Sequence, residues 1–315
     1  MVQNTQMKSR KAIALLITLF FIIAITLAIG IGLKQVNEAA SHVQSEKLLL
    51  QSSMIFDDVL VMLKGAKELD YLLDNNISGD VFGAFLSGYS IPGIPLGDSG
   101  IIISLELKSA RSKVNINTLI DNNNSVDALR AYLNYYMVNE IYADMLLDSM
   151  DGIQADDSYR TGLFYEKPYL YRDFIVSYEH LEEINEFYMK TYRDNYLKNI
   201  HLKNLFYFSE VKQNYKVDLN CVTPEALEMM LGDKSRMAML YPNFESEDDI
   251  DKCSSFVCNN LDEDEKTILA QYGATCNIQP YLDVSVEVMQ NEQTAKINFE
   301  YDIKNKKGYN FVYEI

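Results

Sequence analysis

Tryptophan is absent from this chain, histidine occurs only three times, and no cysteine precedes Cys221. Each shortage excludes something. His42, His180 and His201 are scattered, and none stands in a motif that would make it a catalytic base. Neither a phosphate-cradling loop nor a dinucleotide glycine pattern is present. Gly88-Tyr-Ser-Ile-Pro92 begins like a nucleophile elbow but has proline where the last glycine belongs. Catalysis is therefore not expected. With 22 tyrosines and no tryptophan, the aromatics read as core and rim packing rather than a binding cage. Cations are scarce as well. The chain has 28 Lys and Arg against 45 Asp and Glu, for a formal charge of −17. A phosphate backbone is repelled by such a surface unless a basic stripe interrupts it, and none does, so direct nucleic-acid binding is not expected. The acidic clusters Glu245-Ser-Glu-Asp-Asp-Ile-Asp251 and Asp262-Glu-Asp-Glu265 read as solvated turns.

Charge is missing altogether from Ala12 to Leu33. That run is about 22 residues long, and ~20 apolar residues cross a bilayer as a helix. A buried core helix of this length would keep a polar face, and this one has only Thr18 and Thr26, whose hydroxyls can bond back to their own helix. Lys8, Arg10 and Lys11 directly precede it, which places the N-terminus in the cytoplasm and the bulk of the chain on the other side. A cleaved secretory signal would have a shorter apolar region and a small-residue site after it, for which Gly30-Ile31-Gly32 is a poor match.

The four cysteines, Cys221, Cys253, Cys258 and Cys276, are even in number and lie beyond the membrane, which argues for disulfides. Four cysteines allow three pairings, and the sequence does not choose among them. Zinc is the weaker reading, because Cys253 and Cys258 lack the tight C-x2-C knuckle and no histidine is near.

No proline interrupts Lys34 to Leu73, and Ile55, Val59, Met62, Ala66, Leu69 and Leu73 recur at helical spacing. One long rod is expected, with Asp57, Asp58, Lys64 and Lys67 on its other side. The Gly/Pro-rich stretch Gly79 to Gly100 predicts a long loop. Ile101–Lys108 and Lys113–Thr118 read as a hairpin. Helical patterning then takes over: one helix from an N-cap at Ser125 to Leu147, and others over Tyr178–Lys198, Pro224–Leu231 and Asp264–Gln271. Alternation returns in Leu282–Val288 and Lys296–Ile303, joined by a turn at Gln290-Asn291-Glu292, with a third strand at Tyr309–Tyr313. A helical block bounded by strands on both sides implies an insertion within one sheet. Lys113-Val-Asn-Ile-Asn117 is echoed by Lys216-Val-Asp-Leu-Asn220, each followed by a helix carrying Ala-Leu.

These residues resemble the K-type minor pseudopilins of bacterial type II secretion (the GspK family). Arg10-Lys11-Ala12-Ile13-Ala14-Leu15-Leu16 is similar to that family's basic leader running into its apolar helix. Val114-Asn-Ile-Asn-Thr-Leu119 resembles its entry to the helical domain, and Leu146-Leu-Asp-Ser-Met-Asp151 its "LLD-W-x-D" stretch. Pro168-Tyr-Leu-Tyr-Arg172, His180-Leu-Glu-Glu-Ile184 and Val217-Asp-Leu-Asn-Cys-Val-Thr-Pro-Glu-Ala-Leu227 resemble later sections in the same order.

The resemblance implies an α+β fold. A long N-terminal helix, transmembrane and then amphipathic, would pack on a pilin-like antiparallel sheet interrupted by a large all-helical insertion. The implied divisions are a leader over 1–12, a membrane helix over 13–33, helix and first strands over 34–118, the insertion over 119–277 and closing strands over 278–315. A prepilin peptidase would cut between Ala12 and Ile13, with alanine in place of the usual glycine. Ile17, the fifth residue after that cut, stands where most pilins carry glutamate. A tip subunit has no neighbour above it to neutralise, and so fits an apolar residue there. The implied partners are other minor pseudopilins in a tip complex, the inner-membrane secretion assembly and the peptidase, with the bulk of the chain periplasmic. Calcium is a possible ligand by the same resemblance, its candidate donors being Asp148, Asp151, Asp156, Asp157 and Glu166. They do not follow EF-hand spacing. Two rivals stand beside this reading: the same part in a DNA-uptake machine, and a membrane-tethered periplasmic receptor or adaptor with no filament.

Overall fold

The structure is a computed structural model and describes residues 50–73, 77–97, 100–152, 159–210, 214–241, 253–290 and 293–314. Ala12, Ile13, Ile17 and the rest of the leader and apolar segment lie outside these residues, as do Asp156, Asp157 and the Glu245–Asp251 cluster. Among the described residues no helix is long and apolar enough to cross a membrane.

Helix α1 is described over 50–65. It does not run on as one rod: Ala66 has an extended ψ of 107°, and a separate short helix, α2 (Lys67–Tyr71), follows. Its buried seam also differs from the expected one. Ser52, Phe56 and Leu63 are buried, while Met62 and Leu73 are exposed. Phe56 explains the rotation. Its ring meets Phe299 edge to face at 5.2 Å and Phe311 at 5.3 Å, so the largest side chain of the helix sets which face looks inward.

The expected loop at 79–100 is instead a helix and a strand, α3 (Gly79–Tyr89) and β1 (Ile91–Pro95). Ser78 caps α3 by accepting from the Val81 amide, and Phe82 and Leu86 bury one face. The glycines that suggested a loop serve close packing here. A Cβ on Gly83 would stand 2.1 Å from the carbonyl oxygen of Cys253. The expected hairpin is also absent. Strand β2 (Ile101–Ser109) lies antiparallel to β1 and to a strand near the C-terminus, while β3 (Val114–Asn115) pairs in parallel with β4 (Phe206–Tyr207).

Between β2 and the C-terminal strands lies the helical block: α4 (Asn123–Tyr135), α5 (Ile141–Met150), α6 (Leu163–Glu166), α7 (Tyr178–Tyr192), α8 (Leu202–Leu205), α9 (Pro224–Leu231), α10 (Lys234–Leu240), α11 (Phe256–Asn260) and α12 (Glu263–Gln271). The single helix expected over Ser125–Leu147 is two, broken at Met137 with φ 61°, and its N-cap is Asn122, which accepts from the Ser125 amide. α7 likewise stops at Arg193, in a left-handed conformation. α9 keeps its expected bounds, with Pro224 at the first turn and Gly232 closing it at φ 68°. Two short parallel bridges, β3 with β4 and β5 (Val217–Asp218) with β6 (Ala274–Thr275), tie the block's coil segments together.

The chain returns to the sheet as β7 (Tyr281–Gln290), β8 (Gln293–Asp302) and β9 (Lys307–Glu314), in the order β1-β2-β7-β8-β9, antiparallel throughout. Leu282, Val284, Val286 and Val288 alternate inward along β7, as a sheet with one covered face requires. Two cores result. One joins α1, α2, α3 and the sheet, and the other fills the block from Val114 to Ala274.

Candidate functional site

The seam between sheet and block is held by three arrangements. At the end of β2, Arg111 is almost fully buried and donates to Glu300 of β8 at 2.5 Å. Its guanidinium lies between the rings of Tyr215 and Tyr281, 4.4 and 3.8 Å from their centroids. Burial opposes its charge, but Tyr215 and Glu300 outweigh that and hold its pKa above the ordinary arginine value. A buried pair of this kind fixes geometry more than it stabilises, because both charges lose their water. The second arrangement is α3 against the block. Asp80 accepts from the Ser254 hydroxyl at 2.9 Å and the Ser255 amide at 3.1 Å, which hold its pKa below the usual carboxylate range. The third is Asp218, which accepts from the Gln279 amide and from the Asn220 backbone and side chain. Burial pushes its carboxyl up to about 6 against those bonds.

Among the described residues two further surfaces are exposed. A cleft of about 900 Å³ runs along the seam, with Leu107 and Lys108 of β2 on one wall and Glu182, Glu186 and Lys203 on the other. The outer side of α1 carries exposed apolar residues as well, among Asp57, Asp58 and Lys64. Leu50, Met54 and Val61 are each more than two thirds exposed, at 71%, 70% and 68%, and recur at i, i+4 and i+11 opposite the Phe56 seam. A helix with apolar residues on both sides has a second surface left to cover.

The expected site residues fall as follows. The cysteines pair as Cys221–Cys253 and Cys258–Cys276, one of the three connectivities that the sequence allowed. The first joins the block to the α3 contact and belongs to the sheet-side core, whereas Cys258 lies in the block's core and Cys276 packs against it. Asp148 is buried, and its carboxylate is taken by the protein itself: the Arg160 amide donates at 2.9 Å, and the Thr161 amide and hydroxyl both at 2.7 Å. Arg160 Nη1 also approaches Asp148 and Asp151, at 3.4 and 3.8 Å. Those bonds clamp the loop to Asp148; among the described residues no group of three His, Cys, Asp or Glu could hold a metal, and two of the five expected donors, Asp156 and Asp157, lie outside them. Glu166 is exposed at the end of α6. Sequence reasoning missed Arg111 and Glu300. The one available signal was Glu300 on the polar side of an otherwise alternating strand.

No family model matches the chain, and no curated protein matches it. A search of solved structures matches a chain of the GspK-GspI-GspJ complex from the enterotoxigenic Escherichia coli type 2 secretion system. The TM-score is 0.51 at 15% identity, over 87% of this chain and 98% of that one. The fold is GspK-like. Within that GspK-like fold, Arg111, Asp80 and Asp218 hold block and sheet together, and the outer side of α1 is exposed among the described residues.

Proposed function

We propose that this chain is a non-enzymatic minor pseudopilin of a type II secretion pseudopilus. It would sit at the tip and initiate or cap assembly together with other minor pseudopilins. The observation that carries the reading is α1. One side is committed to the sheet through Phe56 and Leu63, and the other presents Leu50, Met54 and Val61. Such a helix, following the apolar segment Ala12–Leu33 in the sequence, suits packing among neighbouring helices in a filament. The GspK-like fold supports the same reading, and so does the bulk of the block, for which a filament's end has room and its body does not. On this account the chain crosses the inner membrane once, its N-terminus is cytoplasmic, its bulk is periplasmic, and a prepilin peptidase releases Ile13.

Mass spectrometry of the mature N-terminus tests the account. A chain beginning at Ile13 is expected, and one that keeps Met1 in the presence of the peptidase overturns it. A deletion strain should lose protein secretion while remaining transformable. Loss of transformation with secretion intact would move the chain to a DNA-uptake machine. Met54→Asp with Val61→Asp should abolish cross-linking to other pseudopilins while leaving the fold's circular dichroism unchanged.

A further inference from the structure

Between Asp80 and Glu106 the chain carries one charged residue, Asp98, which lies outside the described residues. That run folds as α3, β1 and the start of β2, and its apolar side chains gather at one end of the sheet. Pro95 stands opposite Ile102, Ile102 opposite Met289 of β7, and the Leu96 amide donates to the Ile101 carbonyl at 2.8 Å. Ile94, Leu96, Ile102 and Met289 are exposed at 52%, 48%, 40% and 40%. The next row on the same face sets Glu287 between Ser104 and Lys296, one charge of each sign. An exposed apolar cluster on so acidic a chain marks a contact surface.

The prolines restrict what can cover it. Pro92 and Pro95 have no amide hydrogen, and a register shift between Ile91 and Ile94 breaks the ladder, so β1 is closed to a further strand. The occupant must cover apolar side chains without backbone hydrogen bonds. The course of α1 says what lies at this end. Its Lys64 carbonyl accepts from Lys306 Nζ at 3.5 Å, beside the turn between β8 and β9, while Phe56 meets Phe299 and Tyr313 farther along those strands. Traced back to Leu50, α1 therefore runs toward the turn between β7 and β8, the end that carries Met289 and Ile102. The sixteen residues Lys34 to Leu49 separate Leu50 from the apolar segment. Fully extended they span at most ~55 Å. If Ala12–Leu33 crosses a bilayer, this end of the sheet is held within that reach of the lipid surface, which raises its effective concentration there. The chain carries −17, so anionic headgroups repel it, whereas neutral ones admit its uncharged end.

We infer that this end of the sheet, with Leu96, Ile102 and Met289 at its centre, rests on a bilayer surface of neutral headgroups while the chain is unassembled. The inference rests on the membrane-spanning reading of Ala12–Leu33.

The chain has no tryptophan, so a single introduced one is a unique reporter. The full chain is reconstituted in nanodiscs of zwitterionic lipid brominated along its acyl chains, and quenching is read for three variants. Phe21→Trp reports the anchor, Met289→Trp the contact, and Tyr165→Trp an exposed position on the block. The first two are expected to be quenched and the third not. Adding Leu96→Asp and Ile102→Asp to Met289→Trp should lower the docked-to-free ratio about tenfold. Should circular dichroism show that pair to unfold the sheet, Leu96→Ser with Ile102→Thr takes its place, with a smaller loss in the same direction. Anionic lipid should weaken the quenching of Met289→Trp, and added salt should restore it. An unquenched Met289→Trp beside a quenched Phe21→Trp overturns the inference and leaves the anchor standing. An unquenched Phe21→Trp overturns both. Equal quenching of Met289→Trp and Tyr165→Trp, or quenching indifferent to the added substitutions, also overturns the inference, since the contact would lie elsewhere.

Discussion

The turns at Val114–Asn117 and Val217–Asn220 share a backbone plan but not a setting. Each starts as a two-residue parallel bridge, and in each the second residue accepts the amide two positions on: Asn115 from Asn117 at 3.2 Å, Asp218 from Asn220 at 3.0 Å. The first turn is neutral and serves the block alone. Asn117 accepts from the Ile175 amide at 2.7 Å and donates to the Ile175 carbonyl at 3.0 Å, while Asn115 donates to Ser209. The second turn stands at the seam. The Asp218 amide donates to Arg111, its carboxylate accepts from Gln279, and Cys221 follows in a disulfide to Cys253. One plan therefore served twice, once with an amide that burial leaves unperturbed and once with a carboxyl that burial resists. The price is pH dependence at the seam.

The largest effect should come from unbolting the second turn. Replacing Cys221 and Cys253 by serine is expected to cost about 4 kcal/mol in thermal unfolding. The same change at Cys258 and Cys276 should cost a few tenths of a kcal/mol less, because the bridged separation is 18 rather than 32 residues. Equal losses would mean that the bridged separation does not set the difference between the two links. Asn117→Ala strands a buried amide and carbonyl at Ile175 and should cost about 3 kcal/mol by denaturant titration. The pH profile follows from Asp218. Its folded pKa of about 6 exceeds the ordinary 3.8, so the folded protein binds that proton more tightly than the unfolded chain does. Its contribution falls as pH rises from about 4 to about 6, by up to about 3 kcal/mol, and stays low above that range. Asp218→Asn should flatten this part of the profile while losing the acceptor for the Gln279 amide. The mildest expected change is Asn115→Asp, at about 1–2 kcal/mol at neutral pH. It puts a carboxylate where an amide donates to Ser209 and should give the first turn the pH dependence of the second.

Much of this architecture is legible in the residues. β7 and β8 alternate cleanly because one face is covered, and α9 is bounded by Pro224 and Gly232, whose backbone preferences are local. What was not legible depends on distant partners. α3 reads as a loop because Gly79 and Gly83 look like breakers until Asn220 and Cys253 are seen against them. Strand β2 looks like half of a local hairpin because nothing near Ile101 announces pairing with Gln290. Asp148 has the residue type of a cation ligand, and only the fold shows Arg160 and Thr161 around its carboxylate. The pairing of the cysteines is likewise a property of the folded chain, not of their spacing.

The split of the sheet has a consequence for how the chain reaches its native state. Arg111 and Glu300 are 189 residues apart, and β2 meets β7 across a similar distance. Contacts of such separation form late, after the entropy of closing the intervening loop has been met. The block has its own core from Val114 to Ala274, so it can condense first and bring Ser109 and Tyr281 to the two ends of a short gap. β2 then has only β1 beside it, and its other edge stays unpaired for as long as the block is unfinished. Completion of the sheet is thereby made conditional on the block, and a chain whose block fails exposes a strand that quality-control proteases and chaperones can recognise.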